Sequence, residues 1–578
     1  MESLHQLETI ILLLAAVLAL TTIAQKILIP YPILLVIGGL ILGLLPGLPA
    51  VTLSPNLVFL VFLPPILWAA AYFTSLREFR QNLRPISLLA VGLVLATTAA
   101  VAVAARAVLP GMGWAEAIAL GAIVSPPDAV SATAIGKRLR IPRRIVTILE
   151  GESLVNDATA LVLYRVAVGA VVSGMFTVDG AILEFVYAAV VGVAIGIGVA
   201  MLTRWALCST DDGLIHIGIT LLAPYIAWVL GESVHASAVL ACVAGGLYLR
   251  RYFSDAVAPA TRIQARAVWD LLIFILNGVI FILIGLQLGP LRAAVPAGRF
   301  GPVLLAGAVI SLTAIVVRLL WVPLAAMLPR WVSAALRTRD PMPPWSHIFL
   351  ASWTGMRGIV TLAAALALPV TMISGAPFPF RAEIILISFV VILATLVLQG
   401  LSLPPLIRAL RVEEGRGFEE EELLARERAA TAALIRLDQL VGEDWLKMDH
   451  VERLRVQYGR QLEHVTASAA VDGDGSREAT EAFQRLRHET LTAERLALIG
   501  LRNDGTISDE VLHQLEHELD VEALRLGIGE RREGPIRAGP VESAREGASL
   551  SVRRRSAFPA DLATHGRGNP GTAGARAV

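Results

Sequence analysis

The chain of 578 residues is 55% hydrophobic and 17% charged, with a mean hydropathy of +0.67. Soluble domains carry about a quarter charged residues, so this composition points to a membrane protein. A net charge of +1 gives no electrostatic case for nucleic acid as a partner, and two cysteines, Cys208 and Cys242, exclude a disulfide framework or a multi-thiolate metal site.

The opening stretch, MESLHQLETIILLLAAVLALTTIAQ, lacks the basic start of a signal peptide and reads as an intact first membrane helix. Apolar runs long enough to span a bilayer, about 17–25 residues each, fall near 5–25, 28–46, 55–74, 85–108, 114–136, 145–172, 179–203, 213–231, 234–250, 267–288, 301–328, 346–370 and 382–408. The expectation is therefore an all-α polytopic membrane protein of about thirteen transmembrane helices.

Alternate loops between these runs hold nearly all the basic residues. One set contains Lys26, Arg77, Arg80, Arg84, Lys137, Arg138, Arg140, Arg143, Arg144, Arg204, Arg250, Arg251, Arg262, Arg266, Arg330, Arg337 and Arg339. The other contains only Arg106, Arg292, Arg299 and Arg381. By the positive-inside rule the amino terminus is outside and the carboxyl-terminal region cytoplasmic.

Thirteen spans permit two six-helix halves of opposite orientation around a linker. The fifth span carries Pro126-Pro127-Asp128, and the twelfth, fifth of its half, carries Gly355-Met356-Arg357-Gly358. Adjacent prolines remove two backbone donors, and glycines around a charge favour a similar break. Matched interruptions predict an inverted repeat with two broken, crossed helices and a site at the bilayer midplane.

Five ionisable residues fall well inside predicted spans: Asp128, Glu152, Asp157, Arg318 and Arg357. Charges at bilayer depth are costly and default to function or pairing. Three acids against two arginines leave one carboxylate without a permanent partner. Ser153 and Asp157 lie at i, i+4 on one helix face, with Asn156 beside them. Such an all-oxygen set suits a hard alkali cation rather than a transition metal.

The residues Ile148-Leu-Glu-Gly-Glu-Ser-Leu-Val-Asn-Asp157, Asp128 in SPPDAV and Gly355-Met-Arg-Gly358 resemble the monovalent cation:proton antiporter family, which includes bacterial sodium/proton exchangers and animal sodium/hydrogen exchangers. The likeness runs over most of residues 10–410. It implies a homodimer in the cell membrane, with a dimer domain and a mobile six-helix core in each protomer, exchanging Na+ (or Li+ or K+) for H+ in support of pH and cation homeostasis. It implies Asp157 as the exchanging carboxylate, Asn156 as its neighbour, and Asp128 and Ser153 as further Na+ ligands. Glu152 would pair with Arg318, and Arg357 would face the breaks at Pro126, Pro127, Gly355 and Gly358. An Asn-Asp pair goes in this family with electroneutral one-for-one exchange. Two positions depart from the family pattern: Ala69 stands where many members have an acid, and Pro127 where a Thr is common.

Rival readings find little footing. No Gly-x-Gly-Asp protease context, Gly-x-Ser-x-Gly elbow, His-Glu-x-x-His or Walker motif is present, so neither an enzyme, a cofactor nor ATP-driven pumping is expected. A channel would want a repeated filter loop or a charged ring. Glu150, Arg165, His216 and His235 read as interfacial or pairing residues, and Asp270 and Asn277 as bonds between helices.

Beyond about residue 410 the composition turns charged and rich in Ala and Leu, with helical periodicity near 419–441, 444–466, 478–503 and 508–526. The expected division is a transmembrane antiporter domain over 1–410, a cytoplasmic helical region over 411–528 with regulation as its candidate role, and a disordered tail over 529–578. In that tail Arg553, Arg554 and Arg555 are candidate contacts for membrane lipid, an idle tail being the other reading.

Overall fold

A computed structural model describes residues 2–27, 30–44, 58–128, 141–175, 177–412, 417–441, 448–470, 474–504 and 506–525. Its contacts form two units, Met1–Phe418 and Glu419–Val578. The described residues are helical apart from connections and one isolated antiparallel bridge, Thr371 to Pro377.

The first unit begins with α1 (Glu2–Lys26), α2 (Tyr31–Leu44), α3 (Leu63–Phe73), α4 (Leu83–Val108), α5 (Trp114–Val124), α6 (Arg143–Ser173) and α7 (Val178–Cys208). It continues with α8 (Gly213–Ser233), α9 (Ala238–Ala256), α10 (Pro259–Leu286), α11 (Ala297–Val332), α12 (Trp345–Trp353), α13 (Ile359–Leu366) and α14 (Arg381–Ala409). Seven helices among the described residues are long and apolar enough to cross a membrane, and shorter apolar helices accompany them. The chain is a multi-pass membrane protein.

The helix ends follow local chemistry. Asp212 caps α8 by accepting the backbone N–H groups of Leu214 and Ile215, and Ser237 caps α9 through Leu240 N–H. At the other end of α6, Gly174 takes the left-handed conformation (φ 73°) and closes the last turn onto Ala170. Within α4 the turn Leu88–Leu93 is a π-helix. There the Trp321 indole of α11 donates to the Leu88 carbonyl at 3.1 Å, taking up an acceptor that the widened turn presents.

Two sets of helices pack chiefly among themselves. One comprises α1, α2, α3, α7, α8, α9 and α10, and the other α4, α5, α6 and α11 to α14. Where α2 meets α10, a β-carbon on Gly285 would lie 2.2 Å from the Val36 carbonyl oxygen. Only a bare Cα permits that approach, which replaces hydrophobic driving force with close van der Waals contact in lipid. The helix α6 belongs to the second set but also touches α3, α7 and α9.

Two spans are interrupted. The fifth stops at Val124, where Pro126 and Pro127 cannot donate, and residues 129–140 lie outside the described set. The twelfth is split: α12 ends at Trp353 and α13 starts at Ile359, with residues 354–358 non-helical between them.

The second unit holds α15 (Gly417–Leu440, which starts just before it), α16 (Met448–Ala470), α17 (Asp474–Asn503) and α18 (Asp509–Arg525). Ion pairs join neighbouring helices, Arg455 to Asp438 and Arg487 to Glu522. Residues 526–578, with the three tail arginines, lie outside the described residues.

Candidate functional site

The two breaks touch. The backbone N–H of Asp128 donates to the Met356 carbonyl at 2.7 Å. From the other break, Arg357 reaches back, its Nε donating to the Val124 carbonyl at 3.1 Å and its NH1 to the Gly355 carbonyl. Its backbone N–H is held by Thr395 Oγ1 of α14 at 3.1 Å. The guanidinium thus lies at the carbonyl end of α5, where a cation complements the helix dipole.

Both glycines in the second break are there for close approach. A β-carbon on Gly358 would sit 2.4 Å from Asp128 Oδ2, and one on Gly355 would sit 2.5 Å from Arg318 Cδ. The second break therefore lies flat against one acid and one base.

Arg318 of α11 and Glu152 of α6 form a two-bonded pair, at 2.5 and 2.9 Å, with both side chains 1% exposed. Arg318 also donates to the Ala351 carbonyl at 3.1 Å, at the end of α12. Each charge is bound by the other, so neither is left to a mobile ion.

The charge count from sequence needs one correction. It set both buried arginines against the three acids, but the bonds of Arg357 go to carbonyl oxygens freed by the breaks. Pairing by charge thus removes Glu152 from the exchangeable acids and leaves Asp157 and Asp128 facing a common space. Asn156, fully buried one position before Asp157, donates through Nδ2 to the Pro127 carbonyl at 3.1 Å. It ties α6 to the first break.

That common space is a cavity of about 360 Å³, lined by Asp157, Asp128, Ser153, Glu150, Pro126, Pro127 and Gly358, with α2, α3, α10 and α13 closing the rest. Four carboxylates border it, from Asp128, Glu150, Asp157 and Asp270, and no lysine or arginine among the described residues does. A cleft with one sign of charge and low-dielectric walls concentrates the opposite ion. Ala69 lies on this wall and adds no charge to it.

Sequence reasoning missed Tyr31 and Thr361, both of which line the cavity. Asp270 and Asn277 are on its wall too: Asn277 of α10 bonds across to the Tyr31 side chain of α2, as expected, whereas Asp270 lies 3.7 Å from Arg266 on its own helix. Period-3.6 reading would have shown these faces, but not which cavity they meet. His216, near the start of α8, is buried, its Nε2 2.7 Å from the Thr210 carbonyl. Arg165 pairs with Glu232 of α8 at 2.8 Å.

The family described as sodium/hydrogen exchanger, transmembrane, matches residues 12–409. An uncharacterized Na+/H+ exchanger of Mycobacterium tuberculosis is 36% identical over 526 residues, covering 90% of this chain and 96% of that protein. A sodium, potassium, lithium and rubidium/H+ antiporter of Bacillus pumilus is 29% identical, covering 88% of this chain and 77% of that protein. The solved structure of the sodium proton antiporter MjNhaP1 from Methanocaldococcus jannaschii at pH 8 shares the fold, with a TM-score of 0.54 and 20% identity over 69% of this chain and all of that one. These are transporters, not enzymes. The chain belongs to the sodium/hydrogen exchanger family.

Proposed function

We propose that the chain exchanges one monovalent cation for one proton by alternating access, with Na+ as the preferred cation and Li+ or K+ as alternatives. The observation that carries this reading is the buried Asp157 carboxylate, 6% exposed, on an acid-lined cavity that holds no basic side chain among the described residues. A carboxylate in that setting is neutralised by a proton or by a cation, and the two compete for it. Asp128 and Ser153 offer further oxygen ligands of the kind a hard cation takes. Neutralised, the site crosses the membrane barrier cheaply, and empty and anionic it does not.

One-for-one exchange is supported by Asn156, a neutral residue already bonded to Pro127. Position 156 therefore adds no carboxylate next to Asp157 on α6. The contact pattern supports alternating access, since the helices fall into two sets that α6 bridges. In this reading the chain works as a homodimer in the cell membrane, with its amino terminus outside and its carboxyl-terminal region cytoplasmic, for pH and cation homeostasis. Alternation of the basic loops supports the orientation, and the dimer rests on the resemblance alone. Residues 1–410 carry transport, 411–528 regulate it, and 529–578 form a tail.

Proteoliposomes with an internal pH reporter test the reading. Addition of Na+, Li+ or K+ outside should collapse a pH gradient at a rate that saturates and is unchanged when the membrane potential is clamped. A rate that follows the potential would contradict one-for-one exchange, and ion flux without proton movement would contradict antiport.

A further inference from the structure

Away from the cation site, three arginines from three helices converge on one aspartate. Asp340, in the connection between α11 and α12, accepts Arg84 of α4 at 2.7 Å, Arg144 of α6 at 2.8 Å and Arg330 of α11 at 2.8 Å. Three guanidinium charges against one carboxylate leave the cluster with two positive charges in excess. Arg84 Nε is buried and has no hydrogen-bond partner among the described residues. A buried donor left open costs about as much as a lost hydrogen bond, so the cluster has room for one more acceptor.

The same arginines line a cavity of about 90 Å³, together with His347 and an apolar floor that includes Leu89, Ile148 and Val322. That volume suits a phosphate headgroup but not acyl chains. The helices that line it also carry exposed apolar side chains, Leu324, Leu328 and Trp331 on α11 and Trp345 and Phe349 on α12. Exposed tryptophans near the ends of membrane helices are typical of the boundary between acyl chains and headgroups. The surroundings are thus basic where a headgroup would sit and apolar where its chains would lie.

We propose that this cavity binds the phosphate headgroup of an anionic phospholipid, with Arg84, Arg144 and Arg330 as its ligands and Asp340 as the internal anion it competes with. The bound lipid would tie α4, α6 and α11 together at one end. Since α6 carries Asp157 and α11 carries Arg318, headgroup occupancy would stiffen the frame of the cation site.

The full-length protein in detergent tests this by thermal unfolding with added phosphatidylglycerol, phosphatidylcholine or inorganic phosphate. Phosphatidylglycerol should raise the melting temperature saturably, and the other two should not. Arg84→Gln and Arg144→Gln should each weaken the apparent affinity about fivefold, as expected for one basic residue near an anionic surface. Arg84→Lys should retain most of it, and Asp340→Asn should tighten binding by freeing the arginines. A purely structural clamp predicts an unchanged lipid shift for Asp340→Asn. The proposal is overturned by that result, by an undiminished phosphatidylglycerol shift in folded arginine variants, or by an equal shift from inorganic phosphate or phosphatidylcholine.

Discussion

Arg318 and Glu152 stand 166 positions apart in sequence and meet through two bonds of 2.5 and 2.9 Å, one residue before Ser153 on α6. The pair is the joint between α11 and the helix that carries Asp157. Burial of both charges makes the pair a poor net stabiliser but a severe loss when halved. Arg318→Ala should therefore destabilise the protein by about 3–5 kcal/mol, measured by unfolding in detergent. Replacing both partners with apolar residues should recover most of that loss. A stable but inactive Arg318→Ala protein would remove the structural role.

Gly358 allows the second break to lie against Asp128. A methyl group there would meet Oδ2 at 2.4 Å, so Gly358→Ala must push the Asp128 carboxylate or the α13 start aside. Misplacement of this order costs about a hundredfold in positioned chemistry. Cation-driven proton movement should drop by that order while the melting temperature falls only modestly, and unchanged exchange would show that Asp128 is not held for function.

The all-helical, multi-span character, the Asn156–Asp157 block and the two breaks were legible because each is a local pattern: length, spacing, or a proline or glycine within a span. What Arg357 does was not. Counting charges sees only Asp and Glu as partners for an arginine, whereas the two breaks leave the Val124 and Gly355 carbonyl oxygens to accept from the Arg357 guanidinium. The cavity wall from Tyr31, Asp270 and Asn277 was hidden for another reason, since those residues come from α2 and α10 and no local pattern marks which space they face. The π turn of α4 escaped notice too, because it depends on Trp321 from α11.

Arg165 on α6 pairs with Glu232 on α8 at 2.8 Å, a link between the two helix sets. If the sets move relative to one another, this pair must part in each cycle. Cysteines at both positions, joined by a short bifunctional maleimide, should stop exchange, and a reducible link should restore it on reduction. Full exchange in the cross-linked protein would contradict motion between α6 and α8.

Burial alone would raise the Asp340 carboxyl, but the hydrogen bond from Arg144 and the charges of Arg144, Arg330 and Arg84 outweigh it and hold the group below the usual carboxylate range. Its stabilising contribution is therefore complete above the unfolded value of about 3.9 and is lost as pH falls through the lower folded value. Without anionic lipid, melting temperature should fall with pH more steeply in the wild type than in Asp340→Asn over that acid window. Parallel curves would mean that Asp340 carries no such linkage.

The central claim is that Asp157 alternates between a proton and a cation, and Asp157→Asn in proteoliposomes tests it most directly. The amide is close in size to the carboxyl group and cannot ionise, so the variant should purify as a folded protein. Na+-, Li+- and K+-driven proton movement should all disappear, at every pH. Exchange that survives in Asp157→Asn would contradict the assignment.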